Sequence, residues 1–347
     1  MPTLTKRQEQ ILARIQKHPG AQTKELHAQF PDYSRLTLIR DLRALLAAGA
    51  IEKRGTGRAT GYFENLKSPL LKAVTVGAYF RKDQDERTPA YPAFRFEIFS
   101  DLHDLFTAEE LQRCEEQNRS FQNALKTFPP FLLKKEFERM TIELAWKSSK
   151  IEGNTYSLID TEVLLKEKIE AKKHTHEEAQ MLINHKTAFE YILDDPDDFK
   201  DLTLRKIREL HLLLVEGLGV PTGIRKRMVA ILGANYSPID NEFQIHEALE
   251  KMLKVIALTK HPIEKAFIAL AMLAYIQAFE DGNKRTSRLV TNAILLAHDF
   301  CPLSFRSIEA VEYKKGVILL YEQNSAKYLK ELFLEQFAFA AKNYFQN

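Results

Sequence analysis

The segment 266-AFIALAMLAYIQAF-279 constrains this chain more than any other, because it runs fourteen residues without a charge. A membrane-spanning helix needs about twenty consecutive apolar residues. This run is shorter and interrupted, so the spacing predicts a helix over residues 262–278 that is buried within the protein. The character of the chain then changes abruptly. Within 280-EDGNKRTSR-288 come two acids, a Gly-Asn pair and three bases, after which the apolar pattern resumes.

At 347 residues, with 45% hydrophobic and 28% charged residues, the chain can bury a real core and divide into two or three domains. Helical periodicity recurs at about 134–150, 157–168, 175–194, 202–217, 243–259, 262–278, 284–298 and 326–344, so the fold class is mainly α. One stretch stands apart. The β-type residues of 224-IRKRMVAILGANYSPI-239, around Gly233 and between Pro221-Thr222-Gly223 and Pro238, read as a β-hairpin. Between 65 and 133 the signals weaken: 85–93 reads as a loop, 94-FRFEIF-99 as a strand and 107–126 as a capped helix, with no chemistry among them.

The net charge of +3 is unevenly placed, since residues 1–63 hold eleven Lys/Arg against five Asp/Glu, a local +6. Ile11, Leu12 and Ile15 mark a first helix capped at Thr5, Thr23 caps a short second, and Ser34 caps a third with Leu38, Ile39, Leu42, Leu45 and Leu46 inward. Then 51-IEKRGTGRATGYF-63 predicts a hairpin with a tight turn around Gly55-Thr56-Gly57. This is the layout of a winged helix-turn-helix, and residues 34–62 resemble the DeoR-type winged helix of bacterial regulators. That resemblance implies DNA as a partner, with Ser34, Arg35 and Thr37 at base edges and Arg40, Arg54 and Arg58 on phosphates. Winged helices also dock proteins, and both uses stay open.

Cys114 and Cys301 lie far apart with no Cys/His cluster, which suggests neither a disulfide framework nor a zinc site. The start MPTLTKRQEQIL lacks the apolar core of a signal peptide. The expectation is a cytoplasmic protein with no membrane span.

The residues after Phe279 describe an anion site. A helix start exposes unpaired N–H groups and a partial positive charge, and Gly282 lets the backbone curl so that several of them converge. Arg285 and Arg288 add two guanidinium forks from one helix face, and Asp281 supplies a hard oxygen of the kind Mg²⁺ takes alongside phosphate oxygens. Together they suggest a polyphosphate cradle, although no P-loop and no G-x-G-x-x-G occurs. Helix caps and surface ion pairs are the plainer alternative.

The same stretch closely matches the signature of the Fic family, H-x-F-x-[DE]-G-N-[GK]-R-x-x-R, at Phe279, Asp281, Gly282, Asn283, Lys284, Arg285 and Arg288. The motif [ST]-x-x-x-E-[GN] of self-inhibited members is matched by Ser148, Glu152 and Gly153 in 148-SSKIEGN-154. The resemblance covers about residues 134–340. It implies a helical Fic domain over 134–347, with an inhibitory helix near 140–153, a flap at 224–239 and a signature loop at 277–288. A connecting segment at 65–133 and a winged helix-turn-helix at 1–64 precede it. Fic proteins mostly transfer AMP from ATP to a hydroxyl of a target protein. The implied cofactors are ATP and Mg²⁺, with Asp281 on the metal and the amides of Gly282 to Arg285 as the anion hole. Asn283 and Arg285 would fix the α and β phosphates, and Arg288 the γ phosphate. Glu152, braced by Ser148, would take Arg288 away from that phosphate, and the flap would hold a target protein by strand addition.

Two positions depart from the pattern. Gln277 stands where active members have the histidine that accepts the proton of the attacking hydroxyl, and an amide has no usable basicity near neutral pH. Lys284 stands where many members have Gly; lysine there resembles the Doc-type toxins, but Arg288 argues for the usual ATP orientation. His246 and His261 are candidate substitute bases only if the fold brings them to the mouth, and otherwise ordinary surface histidines. Three functions are consistent with these readings: an AMP transferase held off by Glu152 and weakened by Gln277, a nucleotide-sensing DNA-binding regulator with a silent Fic domain, or a hydrolase removing AMP with Glu152 orienting the water. Winged-helix regulators and Fic proteins often pair, so a homodimer is also open.

Overall fold

A computed structural model gives the fold; it describes residues 4–346, and the side chain of Arg58 lies outside the described set. The first unit contains α1 (Lys6–Lys17), β1 (Ala21–Gln22), α2 (Thr23–Gln29), α3 (Arg35–Ala47), β2 (Ile51–Arg54) and β3 (Gly61–Glu64). Thr5 and Gln8 close a reciprocal capping box on α1, and the Ser34 hydroxyl accepts from the Thr37 amide at the start of α3. The second cap differs from expectation. Gln22 is the N-cap of α2, boxed with Glu25, so Thr23 is the first helical residue. The strands form an antiparallel sheet in the order β1-β3-β2, with Lys53 opposite Tyr62. The wing turn is longer than the expected tight turn, because a 3-10 turn at Gly57–Ala59 lies within it. Ile11, Ile15, Leu26, Leu38, Leu42, Leu45 and Ile51 fill a small separate core. Beside it the buried Asp41 is held by the Arg7 guanidinium, with Nη2 donating at 3.0 Å.

The long body begins with the short α4 (Val76–Tyr79), then α5 (Ala108–Thr127), α6 (Pro130–Ile151), α7 (Leu158–Glu167), α8 (His176–Asp194) and α9 (Leu204–Val215). It ends with α10 (Glu242–Leu258), α11 (Pro262–Ile276), α12 (Asn283–Ala297), α13 (Ala310–Gln323) and α14 (Lys327–Asn343). The uncharged run lies where the sequence requires: every residue from Ala266 to Phe279 is buried. α11 and α12 pack side by side at the centre, with α10 and α13 against the first and α8 and α9 against the second. Residues 285–297 of α12 are buried too, so its arginines enter the core along with its leucines.

Two expectations fail in this body, and one helix is additional. The stretch 94–99 is no strand, since Phe96–Asp101 is 3-10 helix. A strand would send Phe96 and Phe99 to opposite faces, whereas the turn lets Phe94, Phe96 and Phe99 pack together, with Phe94 5.0 Å from the Tyr275 ring of α11. The helix α13 was not expected at all. The stretch 224–239 forms no hairpin, because its second half takes partners from elsewhere. Ser237 pairs in parallel with Ala93, its amide donating to Pro92 and its carbonyl accepting from Phe94. Arg87 donates to the Gly233 carbonyl and the Asn235 amide donates to buried Glu322 at 2.7 Å.

Candidate active site

The loop between α11 and α12 is folded by its own side chains. Gln277 ends α11 in the left-handed region, at φ 54°, and Gly282 turns at φ 82° to become the N-cap of α12. Asn283 clips the loop shut: its Oδ1 accepts from the Phe279 amide at 2.8 Å and its Nδ2 donates to the Phe279 carbonyl at 2.7 Å. The first amide to join the α12 ladder is that of Thr286, which donates to the Gly282 carbonyl. The amides of Gly282 to Arg285 are therefore the orphan donors of a helix start. The Asn283 side chain, expected on a phosphate, is turned to Phe279, and the second hydrogen of its Nδ2 has no partner among the described residues.

The two arginines are brought together as expected, and both are buried. Arg285 donates to the Asp281 carboxylate at 3.0 Å, and that carboxylate is 66% exposed at the mouth. Arg288 lies deeper. Its Nε donates to the Ser148 hydroxyl at 2.8 Å, and Nη2 reaches both the Ser148 carbonyl at 2.9 Å and Glu152 Oε1 at 2.8 Å. The other carboxylate oxygen of Glu152 lies 3.2 Å from Lys284 Nζ. Burial opposes the charge on Glu152, but Arg288 and Lys284 outweigh it and hold the carboxyl below the usual carboxylate range. Glu152 caps the C-terminus of α6, and Gly153 turns the chain away at φ 107°. Helix α6 thus delivers Ser148 and Glu152 to the start of α12 on one face.

Gln277 faces inward. Its amide nitrogen donates to the Ala274 carbonyl at 2.7 Å and to the Tyr321 hydroxyl at 2.9 Å. Burial raises the Tyr321 phenol well above its ordinary value, so it offers no base in its place. His246 pairs with Glu250, and His261 caps α11 and meets Glu115; neither lines the cavity in front of the loop. That cavity measures about 280 Å³. Its lining combines the charged Glu152, Asp281, Lys284 and Arg285 with Gln277 and Tyr321 and the apolar Val229, Ile231, Val317 and Ile318.

Residues that sequence reasoning missed complete the site. Arg225 is buried and donates to the Gln277 carbonyl at 2.6 Å, to the Arg227 carbonyl at 2.7 Å and to the Ile239 carbonyl, fastening both ends of the 224–239 segment to the loop. His211 of α9 lies flat on Phe279, centroids 3.7 Å apart at 9°. Its Nε2 lies 2.9 Å from the Asp281 carbonyl; a carbonyl only accepts, so Nε2 carries the proton. Burial, beyond what that bond restores, pushes His211 down to about 4. His185 of α8 is wholly buried, and burial, with Arg288 and Arg285 adding to it, pushes it down to about 3. No local spacing announces these two histidines.

In the first unit, Ser34, Arg35 and Arg40 are exposed on α3, while the Ser34 hydroxyl is shared with the Thr37 side chain at 2.9 Å. Arg54 is less free than expected: its Nε donates to Glu52 at 2.8 Å and its guanidinium lies over the Phe63 ring. The expectation for Arg58 lies outside the described residues.

Comparison with known proteins places this geometry. The Fic/DOC family model matches residues 201–295, the span that holds α9, the 224–239 segment and the loop. The chain carries a Fic domain. A DeoR-like helix-turn-helix domain matches residues 7–61. "Protein adenylyltransferase Fic" of Culex quinquefasciatus is 29% identical over 177 residues, 49% of this chain and 35% of that protein. The Nematostella vectensis protein of the same name is 26% identical over 185 residues, 52% of this chain and 43% of that one. The chain therefore spans only part of the length of these curated relatives. Among solved structures, Fic-1 of C. elegans superposes with a TM-score of 0.59 at 20% identity, over 67% of this chain and 70% of that one. A Fic-domain-containing signaling protein of Bacteroides thetaiotaomicron gives 0.55 at 19%, over 67% and 97%. These two share the Fic fold.

Proposed function

We propose that the Fic domain binds ATP with Mg²⁺ in the 280 Å³ cavity, in the manner of the protein adenylyltransferases it resembles, and that Glu152 holds the site off. The observation that carries this reading is the Glu152–Arg288 contact at 2.8 Å within a wholly buried guanidinium environment. The orphan amides of Gly282 to Arg285, together with Arg285, Lys284 and Arg288, suit a triphosphate. The apolar lining residues Ile231, Val317 and Ile318 suit the base. Asp281 fits a divalent ion that also takes phosphate oxygens, being an exposed carboxylate at the mouth with Oδ2 on Arg285 and no partner for Oδ1 among the described residues. Mg²⁺ held there would neutralise phosphate charge. While Glu152 lies between Arg288 and Lys284, a γ phosphate finds both cations taken.

AMP transfer joins the target's hydroxyl oxygen to the α phosphorus, breaks its bond to pyrophosphate and releases the hydroxyl proton. That proton needs an acceptor, and Gln277 offers only an amide. A missing base lowers rate by about 10²- to 10⁴-fold, roughly 3 to 5 kcal/mol of barrier. The target would dock along 228–232, where Met228, Ala230 and Leu232 are exposed and residues 229–232 line the cavity. The 233–237 half already holds the chain's own segment.

A second reading is favoured by one observation: with Gln277 tied to Ala274 and Tyr321, the domain can report nucleotide without turning it over, leaving the winged helix to act on DNA. Removal of AMP by a Glu152-oriented water is less well supported, since both carboxylate oxygens lie on cations. The test is labelling from ATP tagged on the α phosphate. Glu152→Gly with Gln277→His should label protein at least about 10²-fold more than Glu152→Gly alone; equal labelling would show that position 277 does not limit the reaction.

A further inference from the structure

The loop that offers its amides to a phosphate is clamped twice. One clamp is internal, Asn283 on Phe279. The other comes from α9, 70 residues earlier in the chain, through His211. We infer that His211 is the positioning residue of the phosphate loop: its Nε2–H holds the Asp281 carbonyl toward α9 and so aims the Gly282 amide at the cavity. This rests on the nucleotide reading above.

The peptide unit makes the argument. In a trans peptide the C=O and the following N–H share a rigid plane and point in opposite directions. Fixing the Asp281 carbonyl on the His211 ring therefore sends the Gly282 N–H the other way, into the pocket lined by Asp281, Gly282 and Lys284. The ring cannot rotate freely to release it, because it is stacked on Phe279 at 3.7 Å and 9°. The same wall of α9 reaches the glycine itself. A Cβ on Gly282 would lie 3.3 Å from Val215 Cγ1 and 3.5 Å from His211 Cδ2 and Nε2, on a residue already at φ 82°. Both the missing side chain and the left-handed turn are thus matched to that helix face.

The choice of residue separates positioning from filling. Packing alone would be served by a second phenyl ring on Phe279. The imidazole adds one donor, and that donor goes to the carbonyl preceding the anion hole, while Nδ1 is buried with no partner among the described residues. Keeping an unpartnered nitrogen in the core is unfavourable, so the benefit lies on the Nε2 side.

The experiment uses the full chain with Glu152→Gly as reference and isothermal calorimetry with Mg-ATP. His211→Phe keeps the stack and removes the donor; His211→Gln keeps a donor at similar reach. His211→Phe should weaken binding about tenfold, equivalent to about 1.4 kcal/mol, with the melting temperature of the nucleotide-free protein close to the reference, and His211→Gln should recover most of the affinity. Equal affinity in His211→Phe and the reference overturns the inference. If the reference itself binds no nucleotide, the functional reading fails instead. The tautomer gives a check that changes nothing at position 211: ¹⁵N NMR of the reference should show a protonated Nε2 and a bare Nδ1, and an Nδ1–H tautomer overturns the assignment whatever the variants do.

Discussion

Two helix starts in this molecule carry arginines suited to a polyanion, and they are built in opposite ways. At the start of α12, Arg285 and Arg288 are buried, bonded and aimed before any ligand arrives. At the start of α3, Arg35 and Arg40 stand in solvent, above a core of Leu38, Leu42 and Leu45 that needs neither of them. The first arrangement suits a small, dense charge, because preordered donors lose little freedom on binding. The second suits a long regular one, where many weak, screened contacts add up. The contrast also concerns cost. A buried guanidinium must keep a carboxylate or phosphate near it, and here Glu152 fills that place.

The sharpest way to break the contrast is Arg288→Ala. Removing this wholly buried guanidinium leaves Glu152 with Lys284 alone and the Ser148 hydroxyl and carbonyl without their donor, so the variant should lose about 3 to 5 kcal/mol of unfolding free energy in urea; a loss below about 1 kcal/mol would mean that Arg288 is no more embedded than the α3 arginines. On the other side, Arg35→Ala with Arg40→Ala should leave stability within about 0.5 kcal/mol. The same pair should weaken DNA binding and flatten the salt dependence of its affinity by about one unit per lost phosphate contact. An unchanged salt slope would turn the winged helix toward protein docking. The last effect is proton-linked and appears only in acid. His185 is held neutral down to about 3 while an unfolded histidine titrates near 6.5, so its folded value is depressed and the unfolded chain binds the extra proton. That contribution to stability is complete above about pH 6.5 and is lost as pH falls toward 3, at up to about 1.4 kcal/mol per pH unit. His185→Leu should remove it from the acid limb of a stability-versus-pH curve; an unaltered limb would show that His185 titrates normally.

How much of this could be read from sequence depends on where each residue's partner lies. The run 266–279 declared a core helix because its pattern is self-contained, and the caps at Thr5, Ser34 and Thr107 are equally local. The signature loop declared a helix start at Gly282-Asn283 for the same reason. The 224–239 segment was misread because its β-type residues predict strands but its partners, Arg87, Pro92 and Glu322, come from elsewhere in the chain. That Asn283 also clips Phe279 was not legible, because spacing shows where a side chain begins and not which way it turns. His211 and Arg225 were invisible, since each acts on the loop only after α9 and the segment beyond it have packed against it.

Direct calorimetric titration of the full chain with ATP, with and without Mg²⁺ and with and without Glu152, reaches the central claim in one comparison. The account predicts weak or undetectable binding to the unaltered chain and clear magnesium-dependent binding, at least about tenfold tighter, once Glu152→Gly frees Arg288 and Lys284. Equal affinity for both proteins, or none for either, would contradict it.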